Sequence, residues 1–222
     1  MVIFGLRPTQ RAVILIDGPS FYATAKALGF EADFRTLRNE VEEACDLRSI
    51  QYFTALSNDP DAHSPVRPLV DWLGFNGYRV ITKTLREFTD STGRRRVKGN
   101  IAVEIATEMV EAAGNVDHIV LISGDGDLAY AVEAAQRKGA KVTVVSSLVA
   151  GSVSDDLRRV ADRFIELDDV KHEIMRREIA PAPQGEAAVG ERRPAMAVVV
   201  EHRPLGRSGA VPAERRTLNL SR

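Results

Sequence analysis

The chain has 222 residues, 44% of them hydrophobic, and carries 30 Lys and Arg against 31 Asp and Glu. That length suits about one domain plus an extension, and a net charge of −1 excludes a uniformly cationic surface, so any nucleic-acid contact must come from a local patch. One cysteine, Cys45, excludes an internal disulfide and points to a reducing, cytoplasmic setting.

Taken in chain order, the opening "MVIFGLRPTQR" lacks the long apolar stretch of a signal peptide. No later run reaches the roughly 20 apolar residues that span a bilayer. The first strand is predicted over "AVILI" (12–16), followed by a helix over "SFYATAKALGF" closed by Gly29. A second helix, "DFRTLRNEVEEAC", places Leu37, Val41 and Cys45 on one stripe, which makes Cys45 a small core residue. Strands are predicted at "IQYFTAL" (50–56) and "YRVITKT" (78–84), separated by the helix "VRPLVDWLGFNGY". A basic stretch leads to the helix "IAVEIATEMVEAAG", the strand "HIVLIS" (118–123), the helix "DLAYAVEAAQRKG" and the strand "KVTVVS" (141–146). A last helix is predicted over "SDDLRRVADRF" with a Ser-Asp cap. The strand runs are short, β-branched and almost continuously apolar, as strands buried on both faces are. Their alternation with helices predicts an α/β fold with a mostly parallel sheet and right-handed crossovers.

From Glu178 onward the composition changes. This segment holds half of the chain's ten prolines and no aromatic residue, with seven Arg against five Glu. It is expected to be a disordered tail, 178–222, beyond a folded unit of 1–177. Within it "AMAVVV" (195–200) is the one run able to pair as a strand or bind a partner.

Acidic residues follow two of the strand runs. Asp17 follows "AVILI", and Asp125 and Asp127 lie just past "HIVLIS". Ligands of open parallel sheets bind beyond the carboxyl ends of the strands, so three carboxylates meet there if the two strands are neighbours. Two unit charges about 4 Å apart repel by about 4 kcal/mol at an effective dielectric near 20, so such a group needs a proton or a cation. All the ligands are hard oxygens, which favours Mg²⁺ or Mn²⁺. Each motif alone has an equal reading as a helix cap or turn; together, at two strand ends, they favour a metal site. "SGDGDLAYA" lacks the third glycine of a dinucleotide fingerprint and there is no P-loop. An aspartyl-phosphate phosphatase would want Asp-x-Asp where the chain reads Asp-Gly-Pro.

The basic stretch "KTLREFTDSTGRRRVKGN" contains a hairpin-like turn at Asp90–Gly93 and then Arg94, Arg95, Arg96 and Lys98. A charge run of this kind is often only a solvated face. Here it leads to the start of a helix expected at the same sheet edge, where phosphate binding is natural.

Four segments, "VILIDGPSFYATAKALGF", "REFTDSTGRRRVKGNIAVEIATEM", "DHIVLISGDGDLAYAVEAAQRKGAKVTVVS" and "LRRVADRFIEL", resemble the NYN domain, the branch of the PIN-like nuclease superfamily that includes LabA-type bacterial proteins. The resemblance covers about residues 10–170. It implies a PIN-like three-layer α/β/α sandwich, an acidic site for Mg²⁺ or Mn²⁺ and ribonuclease activity on single-stranded or structured RNA. By position it makes Asp17, Asp125 and Asp127 the metal carboxylates, and Lys98, Gly99 and Asn100 the start of the central helix. Arg94, Arg95, Arg96, Lys98, Asn100 and Ser20 are then the expected RNA contacts. A homo-oligomer remains open.

Two departures stand out. Ser20 occupies a position usually Asn, and its hydroxyl retains hydrogen-bonding capacity. Ala102 occupies a position usually Asp. Glu104 and Glu108 follow, about 200° and 240° round the helix from position 102, so they do not directly replace that carboxylate, although Glu108 is expected to line the rim. Two functions remain: a metal-dependent ribonuclease using three aspartates with Glu104 or Glu108, weakened by Ala102, or an inactive module that binds RNA or a protein partner.

Overall fold

The computed structural model describes residues 3–57, 66–89 and 95–176, with 86–89 and 95–98 described as backbone. Seven strands form one sheet: β1 (Arg11–Asp17), β2 (Asp46–Ser57), β3 (Arg79–Thr89), β4 (Arg95–Lys98), β5 (His118–Ile122), β6 (Lys141–Ser146) and β7 (Arg163–Glu166). Among the described residues seven helices accompany them: α1 (Gly18–Ala27), α2 (Phe34–Ala44), α3 (Arg67–Phe75), α4 (Ala102–Ala112), α5 (Ala129–Arg137), α6 (Asp155–Val160) and α7 (Leu167–Ile174). The strand order is β4-β3-β2-β1-β5-β6-β7. Six strands run parallel, and β4 pairs antiparallel with β3.

The central strands are apolar throughout because both faces are covered. In β1, Ala12, Ile14 and Ile16 enter one core while Val13 and Leu15 enter the other, which is the period-two alternation of a strand. The first core receives Phe21 from α1, Leu37 and Val41 from α2, Leu69 and Leu73 from α3, and Val170 and Ile174 from α7. The second receives Ile105 and Met109 from α4, Val132 and Ala135 from α5, and Leu157 from α6. The result is the expected α/β/α sandwich. Phe34 anchors the first core, with edge-on contacts to Phe21, Tyr52 and Tyr78 at ring separations of 6.0, 5.6 and 5.9 Å. Cys45 is buried and its thiol donates to the Val41 carbonyl at 3.3 Å. Burial, helped by Asp46, pushes that thiol up to about 11, so it is a core group and not a thiolate.

Three elements differ from expectation. The helix predicted over 154–164 stops at Val160, and Ala161 turns extended. The Asp162 carboxylate then accepts from Val142 N and Gln136 Nε2 at 2.7 and 3.0 Å, which seats β7 beside β6. A further helix, α7, returns to the first face. There Asp33 N donates to the Ile174 carbonyl at 2.8 Å and Arg176 N to the Glu31 carbonyl at 2.8 Å. The basic stretch contributes the antiparallel strand β4, with Arg86 opposite Lys98 and Thr89 opposite Arg95. Residues 90–94, on which the expected hairpin-like turn and Arg94 fall, and the segment 178–222 with "AMAVVV" lie outside the described residues.

Candidate functional site at the switch point of the sheet

The chain winds β1 to β2 to β3 in one direction across the sheet and β5 to β6 to β7 in the other. The reversal falls between β1 and β5, whose carboxyl ends stand side by side with Ile16 opposite Ile122. Open α/β sheets leave a crevice at such a point. Asp17 ends β1 there, and Ser123, Gly124 and Asp125 follow β5.

Local chemistry fixes both turns. Asp17 is the N-cap of α1: its Oδ1 accepts from Ser20 N at 3.1 Å, and Pro19 in the first helical turn gives up no needed N–H. Gly18 is required by close approach, since a Cβ there would lie 2.5 Å from Tyr52 Cζ and 2.7 Å from the Phe53 carbonyl oxygen. On the second loop Asp125 caps the 3-10 turn Gly126–Leu128, with Oδ1 accepting from Asp127 N at 3.0 Å. The capping reading of each motif therefore holds.

What joins the two turns is a pair of hydroxyls. Ser123 Oγ donates to Asp17 Oδ2 at 2.8 Å and accepts from Asp125 N at 3.1 Å. Ser20 Oγ accepts from Gly124 N at 3.0 Å. Ser20 thus ties the first loop to the second. Ser123 was not among the expected site residues, although it opens the Ser-Gly-Asp motif; its hydroxyl is 2.8 Å from the buried Asp17 and holds that carboxylate's orientation.

Asp17 is 5% exposed. Burial raises its pKa above the ordinary aspartate value and the Asp125 charge raises it further, while the Ser123 and Ser20 hydrogen bonds oppose the shift. Asp17 and Asp125 therefore repel one another. Asp127 does not complete a trio: among the described residues no three acidic, histidine or cysteine side chains stand together as a preformed cage for a metal.

The remaining expected residues are placed as follows. Ala102 opens α4 after the N-cap Ile101, and its N–H donates to Asn100 Oδ1 at 2.7 Å, so Asn100 closes a local turn just before the helix. Lys83 of β3 donates to the Asn100 carbonyl at 2.9 Å and bridges Glu104 at 2.8 Å. Glu104, although partly desolvated, has its pKa lowered by the Lys83 ammonium. Glu108 is held by both terminal nitrogens of Arg79 at 2.8 Å. Arg79 opens β3 opposite Gln51, which is itself opposite Leu15, two residues short of Asp17. Both glutamates are thus committed to cations on the β3 side, and Glu108 lies below the rim. Arg95, Arg96 and Lys98 lie on β4, the strand that precedes α4; their side chains, like Arg94, are outside the described residues.

A three-layer sandwich with an acidic pair at its switch point defines the class. The NYN domain model matches residues 11–168, and the chain belongs to that family. It is similar to the "Low amplitude and bright protein LabA" of Synechococcus elongatus, at 33% identity over 176 residues, covering 78% of this chain and 91% of that protein. Among solved structures it resembles a protein of unknown function from Vibrio parahaemolyticus, with 27% identity and a TM-score of 0.60, covering 75% of this chain and 96% of that one. Membership supports a nuclease-like or RNA-related role. No helix among the described residues is long and apolar enough to cross a membrane.

Proposed function

We propose that the chain is a divalent-metal-dependent ribonuclease whose acidic site is weakened at position 102. One observation carries the reading: the fold buries an aspartate whose pKa it raises, next to a second aspartate, at the point where α/β sheets bind ligands.

The donors fit Mg²⁺ or Mn²⁺. They are hard oxygens, and Mg²⁺ is commonly held by one or two carboxylates with substrate phosphates completing its shell. When bound, such an ion supplies an activated water and neutralises charge on the phosphate. Asp17 and Asp125 would hold it, with Asp127 at the edge. The Ser123 hydroxyl orients Asp17, and the Ser20–Gly124 bond keeps the two loops in register. Arg94, Arg95, Arg96 and Lys98 would grip the flanking RNA backbone, which positions the strand without reading its bases. The net reaction adds water across one phosphodiester: the water oxygen joins phosphorus, the leaving ribose oxygen departs and takes up a proton.

A second reading, an RNA- or protein-binding module without catalysis, is favoured by Ala102 together with the commitment of Glu104 and Glu108 to Lys83 and Arg79. Ala102→Asp separates the two. It adds a carboxylate in the first helical turn, where aspartate is well tolerated. Mn²⁺-dependent cleavage of a labelled RNA is expected to rise by at least about tenfold, one ligand being worth more than about 1.4 kcal/mol in the transition state, while Glu104→Gln and Glu108→Gln in the native sequence change it little. No cleavage by Ala102→Asp, with RNA binding retained, would move the binding module to first place. Abolition of native cleavage by Glu104→Gln would show that a glutamate has taken over the role.

A further inference from the structure

The opposite edge of the sheet carries a second concave site that the proposed nuclease chemistry does not use. A cavity of about 310 Å³ lies at the amino ends of β5, β6 and β7 and is lined by Arg7, Gln10, His118, Lys141, Thr143 and Arg163, with Gly5 and Asp162. Small-molecule pockets begin at about this size.

The sequence explains its shape. Ile3, Phe4 and Leu6 are buried in the first core, which pins the segment before β1 across the strand ends and leaves Arg7 exposed. The pin forces a left-handed backbone at Phe4 (φ 54°) and Gly5 (φ 68°), a conformation a buried phenylalanine keeps only where packing holds it. Gly5 leaves room for the Arg163 guanidinium, whose Nη1 lies 2.1 Å from where a Cβ would stand. Strand pairing supplies the rest: His118 is opposite Lys141, and Thr143 is opposite Arg163.

The floor is polar and buried. His118 and Thr143 are 5% and 1% exposed, and His118 Nε2 lies 2.8 Å from Thr143 Oγ1. Three cations line the walls against one carboxylate, Asp162, whose Oδ2 already accepts from Val142 N and Gln136 Nε2. Arg7, Lys141 and Arg163 make no ion pair among the described residues. Guanidinium groups beside a hydroxyl and an imidazole suit phosphate oxygens, with charge-assisted bonds from the former and one neutral donor left over from the hydrogen-bonded His118–Thr143 pair.

We propose that this cavity is a binding site for a small phosphorylated ligand, with Arg7, Lys141 and Arg163 holding the phosphate above His118 and Thr143. The site stands apart from the Asp17–Asp125 pair and does not rest on the nuclease reading. His118 is a built-in reporter. Burial lowers its pKa, Lys141, Arg163 and Arg7 lower it further, and Asp162 opposes them. A phosphate seated among these cations cancels part of their field, so the His118 pKa rises on binding.

The test is an NMR titration of the histidine ring signals of the full chain with inorganic phosphate and, in parallel, adenosine 5′-monophosphate. Saturable movement of the His118 signals, with the other three histidines unmoved, is expected for at least one of them. Response to phosphate alone identifies a free-ion site, and a tighter response to the nucleotide identifies a site that also takes the nucleoside. The double variant Lys141→Gln and Arg163→Gln changes two exposed side chains, and circular dichroism confirms its fold. It is expected to bind about tenfold or more weakly, since each lost contact was to a charged group. Asp17→Asn should titrate as the native chain does. Absence of a saturable His118 response, an unchanged affinity in the double variant, or loss of the response in Asp17→Asn would each overturn the proposal.

Discussion

Replacing Gly124 with alanine tests the reasoning that the loop after β5 is wedged rather than free. A Cβ at Gly124 would lie 1.6 Å from the Ser152 carbonyl oxygen and 3.0 Å from Ser146 Oγ. The Ser152 backbone would have to move from 1.6 Å to the 3.4 Å of ordinary contact, a retreat of about 1.8 Å, and backbone cannot swing aside as a side-chain tip can. Two hydrogen bonds hang on the same residue: Ser154 N donates to its carbonyl at 3.0 Å, and its own N–H donates to Ser20 Oγ at 3.0 Å. Losing both costs about 1 kcal/mol each, and overpacking adds about 1–3 kcal/mol. A total of about 3–5 kcal/mol lowers Tm by roughly 6–20 °C for a domain of this size. Differential scanning calorimetry without metal reads this directly. Gly74→Ala in α3 is the control, because an added Cβ there meets nothing within 4 Å; it should be neutral or raise Tm by a few degrees. A Gly124→Ala Tm within about 2 °C of native would refute the wedge, since it would leave less than about 1 kcal/mol for all three effects.

Asp17→Asn should stabilise the fold at neutral pH. The raised folded pKa means the native state holds the Asp17 proton more tightly than the unfolded chain does. The stability this gives is fully present below the ordinary aspartate value and is lost as pH rises through the raised folded value. Asparagine escapes that loss, so in chelator its Tm should match native at pH 3 and exceed it at pH 7; a native-like Tm at pH 7 would show that the carboxylate is not strained. Replacing Arg94, Arg95 and Arg96 together with alanine should weaken RNA binding alike across sequences and flatten its dependence on salt; an unchanged slope in a filter-binding titration would reduce the run to a solvated face.

The sequence made the central strands legible because β1, β5 and β6 are buried on both faces and read as unbroken apolar runs. Ser154 was equally legible as a helix cap, and its hydroxyl accepts the backbone N–H of Asp156. The strand β7 was hidden by coincidence of period. Leu157, Val160, Ala161 and Phe164 fit a helical stripe, and all four do pack on the second core; the extended turn at Ala161 goes with long-range pairing, the Asp162 contacts and the β6–β7 ladder, that no local spacing shows. At the candidate site, Asp17 and Asp125 could be read because each ends a strand. Ser123 could not be weighed without knowing that β1 and β5 are neighbours. The commitments of Glu104 to Lys83 and of Glu108 to Arg79 depend on where β3 crosses α4, which no local spacing encodes.

The strand β4 closes the sheet among the described residues, and it spells Arg-Arg-Val-Lys. An outermost strand offers unpaired backbone groups to any extended segment that drifts past. If a second copy docked there by its own β4, a strand with three cationic residues in four would pair with its like, an arrangement that like charges penalise. The same ladder would accept a strand rich in Asp or Glu without that penalty. If that border is uncovered, its composition disfavours pairing with a second copy of itself and favours an acidic strand.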